Sequence, residues 1–230
     1  MRAAAEPPLS LLRQFDTYRL LPSRFADLED SVLAPLSDND AHLKDLFDLD
    51  NATNHRLMGE RGGLAGIGVD ELVFGVPCFR IVNAAYTYPR PEGSRFNGGD
   101  RGAWYCAFDL DTAMAEIVFH KSVEYSEIGY FQDSVAYQAF LADFSSQFHD
   151  LRNAPRFAGC LSPDSYIASQ ALAERLLEAG SMGIVYPSVR RQGGVNLACF
   201  RPALVNNVRR GATFQLTWSG SPVPAVSTLS

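Results

Sequence analysis

The chain lacks the features that mark several specialised classes. Its four cysteines, Cys78, Cys106, Cys160 and Cys199, lie far apart and form no CxxC pair, so the sequence suggests neither a zinc knuckle nor a disulfide framework, and no metal is expected. They read as buried thiols. No apolar run approaches the roughly 20 residues of a membrane span, and the start, Met1 to Pro8, shows no apolar stretch after Arg2. A cytoplasmic protein without a membrane partner is expected. Cations are scarce: 20 Lys and Arg against 26 Asp and Glu leave a formal charge of -6. With no broad basic cluster to neutralise phosphates, direct nucleic-acid binding is not expected. The pairs Arg190-Arg191 and Arg209-Arg210 could hold a small anion, although such pairs are more often solvated loops. The glycines from Gly62 to Gly68 do not spell GxGxxG between a strand and a helix, and no GK[ST] ending occurs. Rossmann and P-loop readings therefore fall.

What is present is enough apolar sequence, 47% of 230 residues, for one sizeable core. Residues 1 to 70 read as an N-terminal helical arm, with one short amphipathic helix from Ser23 (Phe25, Leu28, Val32) and another from Asp38 or Asn39 (Leu43, Leu46, Phe47). A catalytic domain is expected over 71–210 and a C-terminal strand and tail over 211–230. Cys78 to Val82 and Ala103 to Phe108 predict strands, with a polar, Gly-rich loop from Pro89 to Gly102 between them. Asp109 or Asp111 offers an N-cap for a helix through about Lys121, and Ser134 to Phe144 returns to strand character. A helix follows from Tyr166 to Ala179 with Gly180 as its stop, then short strands at Gly183–Tyr186, Asn196–Phe200 and Thr213–Trp218. Ser219 to Ser230 read as a loose tail, and the order of elements predicts an α+β fold.

One acidic residue stands out. Every neighbour of Glu116 in Ala113-Met114-Ala115-Glu116-Ile117-Val118-Phe119 is apolar, which predicts a buried helix and a carboxylate at the floor of a pocket. An unpaired buried carboxylate is costly, so a cation is expected beside it, with Arg80 and Arg95 as candidates. A buried Arg–Glu staple without chemistry satisfies the same pattern. The loop from Gly93 to Gly102 offers backbone N–H groups and the guanidinium groups of Arg95 and Arg101, a combination suited to a pyrophosphate. It feeds the strand of Tyr105, so Arg95, Tyr105 and Glu116 can converge, and a later strand delivers Ser188 into a second turn. Cys106 with His120 superficially permits a thiol hydrolase, but nothing orients a base or an oxyanion, and His120 reads as a helix-end residue.

The succession Arg80-Ile81, Ser94-Arg95-Phe96-Asn97, Trp104-Tyr105-Cys106-Ala107, Thr112 to Glu116 and Gly183 to Ser188 resembles the RES domain over about residues 73 to 205. The resemblance implies a small mixed sheet like that of ADP-ribosyltransferase catalytic cores, and a toxin of a bacterial toxin–antitoxin pair. It implies NAD+ as substrate and an Xre-like antitoxin as partner. It also implies Arg80 and Arg95 as NAD+-binding arginines, Tyr105 as an aromatic site residue that binds NAD+, Glu116 as the acidic catalytic residue and Ser188 as the site serine. Phe96 and Ile81 depart from the aromatic residues that many members carry after the two arginines. On this reading Arg80 and Arg95 clamp the pyrophosphate, Tyr105 walls the nicotinamide or its ribose, and Glu116 faces the positive charge that develops as the nicotinamide–ribose bond breaks. Ser188 is expected to bond phosphate or a ribose hydroxyl. The acceptor of ADP-ribose stays open among water, phosphate and a protein side chain. A non-catalytic module that senses NAD+ or grips a partner is the alternative.

Overall fold

The computed structural model describes residues 5–26 and 66–229. Within them, seven strands form one mixed sheet: β1 (Leu9–Pro22), β2 (Trp104–Ala107), β3 (Gln132–Asp150), β4 (Gly183–Pro187), β5 (Val195–Cys199), β6 (Asn206–Ser219) and β7 (Ala225–Leu229). Three α-helices are interspersed, α1 (Phe79–Thr87), α2 (Leu110–Ile128) and α3 (Ile167–Glu178). The fold is α+β, as expected.

The sheet curls on itself. β1 runs antiparallel to β3 from Leu9 opposite His149 to Pro22 opposite Tyr137, and it also meets β2 where Tyr18 faces Ala107. β2 pairs with β5, β5 with β4, and β4 lies parallel to the end of β3, so the pairings return to β1 in a closed circuit. β6 and β7 extend outward from β3 as antiparallel neighbours. The short central strands β4 and β5 are buried almost throughout, which explains their continuous apolar texture. One core joins Trp104, Phe140, Phe144 and Leu197 to Val82 and Tyr86 of α1. A second packs Leu172 and Leu176 of α3 on Ile184 and Ala198, and a third sets Ala113 and Tyr125 of α2 against Tyr137 and Trp218.

Several elements differ from the sequence reading. The expected helical arm contains a strand, because residues 9–22 form β1, locked along β3. A bulge between Gln14 and Thr17, with Asp16 at φ 54°, shifts the phase of the strand and hides its two-residue period. Ser23–Phe25 is a single 3₁₀ turn; the rest of the first expected arm helix and all of the second lie outside the described residues. The expected strand at Cys78–Val82 is the start of α1, whose buried residues Ile81, Val82 and Tyr86 follow a helical period that a five-residue window is too short to show. α2 continues to Ile128 rather than Lys121 and stops at Gly129, φ 65°. The tail is not loose either, since Ala225–Leu229 pairs with β6. Asp109 does cap α2, its carboxylate accepting the Thr112 N–H at 2.8 Å, and Gly180 follows α3 with φ 82°. No helix among the described residues is long and apolar enough to cross a membrane.

Candidate active site

A cleft of about 340 Å³ opens where β1, β2, α2 and the loop before β2 converge, a volume ordinary for a small-molecule site. Glu116 reaches it from α2. The residue is only half-buried, because α2 is covered on one side and open on the other, with Ile128 65% exposed; the expectation of a fully buried helix is corrected. Nor is Glu116 part of an Arg–Glu staple. Its Oε1 accepts two hydrogen bonds, from Ser188 Oγ at 2.8 Å and from Asn196 Nδ2 at 2.7 Å. Among the described residues no arginine lies within ion-pair distance of it.

Ser188 is held in turn by the backbone that follows it. β4 ends at Pro187, and the chain turns back through Gly193, φ 79°, with the Ser188 N–H donating to the Gly194 carbonyl at 2.8 Å. Inside this turn the N–H groups of Arg190 and Arg191 both donate to Ser188 Oγ at 3.1 Å. With both lone pairs taken, the hydroxyl proton is directed to Glu116. Ser188 therefore supports the carboxylate and is not among the cleft-lining residues.

Three arginines line the cleft without an ion-pair partner among the described residues, Arg19 of β1 and Arg90 and Arg95 of the loop before β2, and of these Arg19 and Arg95 are buried or half-buried. Arg95 is 7% exposed; its Nη1 donates to the carbonyls of Ser162 at 2.7 Å and Cys160 at 3.3 Å, and its guanidinium lies 4.8 Å from the Tyr166 ring centre. Arg19 donates to the Tyr105 carbonyl at 3.1 Å and stacks 4.9 Å from the Trp104 ring centre. Its Nε is buried with no partner among the described residues, and burial lowers its pKa from the ordinary arginine value. An arginine nevertheless stays charged, so a cation without a counter-charge lines this cleft.

Tyr105 spans cleft and loop. Its hydroxyl accepts the Phe96 N–H and donates to Asn97 Oδ1, both at 2.8 Å, which pins the Gly-rich loop to β2. Burial pushes its pKa well up, so the phenol keeps its proton and serves as a wall. Gly93, φ 73°, makes the loop's tight return possible, since a Cβ there would strike the Asn97 carbonyl. The loop's other guanidinium turns away from the cleft: Arg101 grips both Glu71 oxygens, at 2.7 and 2.8 Å, and the Phe200 carbonyl.

Arg80 does not join these residues. Because its segment is a helix rather than a strand, α1 carries it to a separate cleft of about 160 Å³ beside Phe79 and Arg210. Arg19 occupies the place the sequence reading gave it. Of the basic pairs, Arg190 lies 3.3 Å from the Phe119 ring centre, Arg191 pairs with Asp109 and Asp111, and Arg209 with Asp16 and Asp143. Cys106 lines the cleft, but burial pushes its thiol up to about 12, so thiolate chemistry is disfavoured.

Residues 76–219 match the sequence profile of the RES domain. The chain belongs to the RES domain family. A relative, the uncharacterized protein y4oC of Sinorhizobium fredii (strain NBRC 101917 / NGR234), is 25% identical over 206 residues, spanning 90% of this chain and 84% of that protein. A chain of the crystal structure of the M. tuberculosis MbcT-MbcA toxin-antitoxin complex superposes with a TM-score of 0.43 at 17% identity, covering 56% of this chain and 74% of that one. The RES match contains Arg95, Tyr105, Glu116, Ser188 and Asn196, whereas Arg19 precedes it and enters the site only because β1 is paired into the RES sheet.

Proposed function

We propose that this RES domain protein binds NAD+ in the cleft and breaks its nicotinamide–ribose bond. The observation that carries the reading is a single cleft in which Arg19 and Arg95 have no ion-pair partner among the described residues and the carboxylate of Glu116 is immobilised through its Oε1. The arginines suit a pyrophosphate, which charge-assisted hydrogen bonds would hold. Because Oε1 is occupied, Oε2 is the oxygen of Glu116 left to face substrate.

As the bond breaks, the ring nitrogen takes the electron pair, nicotinamide departs neutral, and positive charge develops on the ribose. No strong general acid is needed. A fixed carboxylate beside the ribose stabilises the transition state more than the ground state, where the charge sits on the nicotinamide ring. Tyr105, which keeps its proton, supplies a wall for the ring or ribose.

The biological setting we propose is that of a toxin neutralised by an Xre-like antitoxin covering the cleft, supported by membership of the RES family. Incubation of the purified chain with NAD+ tests the chemistry, with nicotinamide release as the expected result. Growth of cells expressing wild type or Glu116→Gln without a partner tests the setting; arrest by wild type alone is expected, and equal growth counts against the toxin.

A further inference from the structure

His120 lies one helical turn after Glu116 on α2, so the two side chains share a face, and both line the cleft. Glu116 is held in place by two donors on its Oε1 and is assigned to the charge that develops on the ribose. If water attacks the ribose, its proton needs another destination. We propose that His120 is the base that takes the proton from the attacking water, and hence that water is the acceptor; this rests on the NAD+ reading above.

The surroundings suit that task. The ring packs edge-on against Phe119, with centres 5.5 Å apart, and its open side remains exposed to solvent. Charged groups reach it from three elements: Glu116 on its own helix, Arg90 and Arg95 from the loop before β2, and Arg190 from the turn after β4. Lys121 and Glu124, which follow on α2, are paired with each other at 2.9 Å. Partial desolvation at the cleft lowers the imidazole pKa below its ordinary value; Glu116 opposes this, and Arg90, Arg190 and Arg95 add to the lowering. At neutral pH the ring is therefore neutral and able to accept a proton. A phosphate acceptor arrives with an anionic oxygen already present and has no use for this base.

The step balances. The electron pair of the C–N bond goes to nicotinamide, the water oxygen bonds to the anomeric carbon, and its proton passes to the imidazole and then to solvent. NAD+ and water give nicotinamide, ADP-ribose and one proton.

The test measures nicotinamide, ADP-ribose and ADP-ribose 1″-phosphate from wild type, His120→Gln and His120→Asn, with and without inorganic phosphate. Rates are taken from about pH 5 to about pH 8, NAD+ affinity and melting temperature on the same samples. ADP-ribose is expected as the product even with phosphate present. Wild-type kcat should fall on the acid side, with its midpoint below the ordinary imidazole value because the pKa of His120 is lowered. Each variant should lose about 10²-fold in kcat, keep its affinity, and lose that pH limb. Variants with wild-type kcat and pH profile overturn the proposal, as does ADP-ribose 1″-phosphate or modified protein as the main product. No nicotinamide release from the wild type is a different failure, because it removes the NAD+-cleaving reading itself.

Discussion

Ser188 gives its hydroxyl proton to Glu116 at 2.8 Å, although 72 residues separate them. Because two backbone N–H groups fill the acceptor side of the same hydroxyl, the bond has one direction, and Asn196 adds a second donor to the same oxygen. The serine thus holds the carboxylate and is not itself among the residues that line the cleft.

Glu116→Gln should lower turnover by about 10²–10³-fold with much less change in NAD+ affinity, by analogy with deletion of one preorganised electrostatic contact. The glutamine oxygen can still accept from Ser188 and Asn196, so the fold should persist. Nicotinamide release and thermal melting on one sample decide the matter; normal turnover per folded molecule defeats the catalytic assignment.

The relay from Ser188 has its own signature. Ser188→Ala in the wild type should reduce kcat about tenfold, the scale of one hydrogen bond to a charged group. Introduced into Glu116→Gln, it should change little, because its target charge is gone. A loss that persists in that background, and shows in KM, would mean that Ser188 touches NAD+ directly.

Local signals were legible in the sequence and long-range ones were not. The Asp109 cap, the Gly180 stop and the apolar strands β4 and β5 depend on neighbouring residues, and the structure has them close to where the sequence suggested. Arg95, Tyr105 and Glu116 were readable for the same reason, since they sit near one another on a loop, strand and helix in succession. Arg19 was missed because its contact with β2, the bond to the Tyr105 carbonyl, spans 86 residues and the period of its strand is broken by a bulge. Asn196 left one usable sign, a lone amide in the apolar strand Val195–Cys199. Arg80 was misplaced when a helical start was read as a strand.

Acid should weaken the support beneath the loop. Glu71 is held down at about 2, first by its hydrogen bonds from Arg101 and then, beyond the opposing cost of burial, by the charge of Arg101 and by Arg201. A depressed carboxyl pKa contributes stability above the ordinary value, near 4.5, and that contribution disappears as pH falls through about 2. Melting temperatures should therefore decline below about pH 5, and Glu71→Gln should flatten this decline while lowering stability at neutral pH by about 3 kcal/mol. An unchanged acid profile in the variant would detach the loop's stability from this ion pair.

Arg19 offers the sharpest separation of binding from folding. A cation kept in a cleft without a counter-charge costs stability, and replacing such a group by an apolar side chain of similar length is often neutral or stabilising. Arg19→Met should therefore leave the ligand-free protein as stable as wild type or more so, although it loses the bond to the Tyr105 carbonyl. NAD+ should bind about tenfold to a hundredfold more weakly, the loss of one charge-assisted contact. The shift in melting temperature that NAD+ produces should shrink in step, since a ligand stabilises only as far as its concentration exceeds its Kd. Calorimetric titration and melting curves with and without NAD+ read both quantities. If Arg19 serves only to tie β1 to β2, the variant will instead melt lower and retain wild-type affinity, and the cleft's anion site must then rest on the loop arginines Arg90 and Arg95.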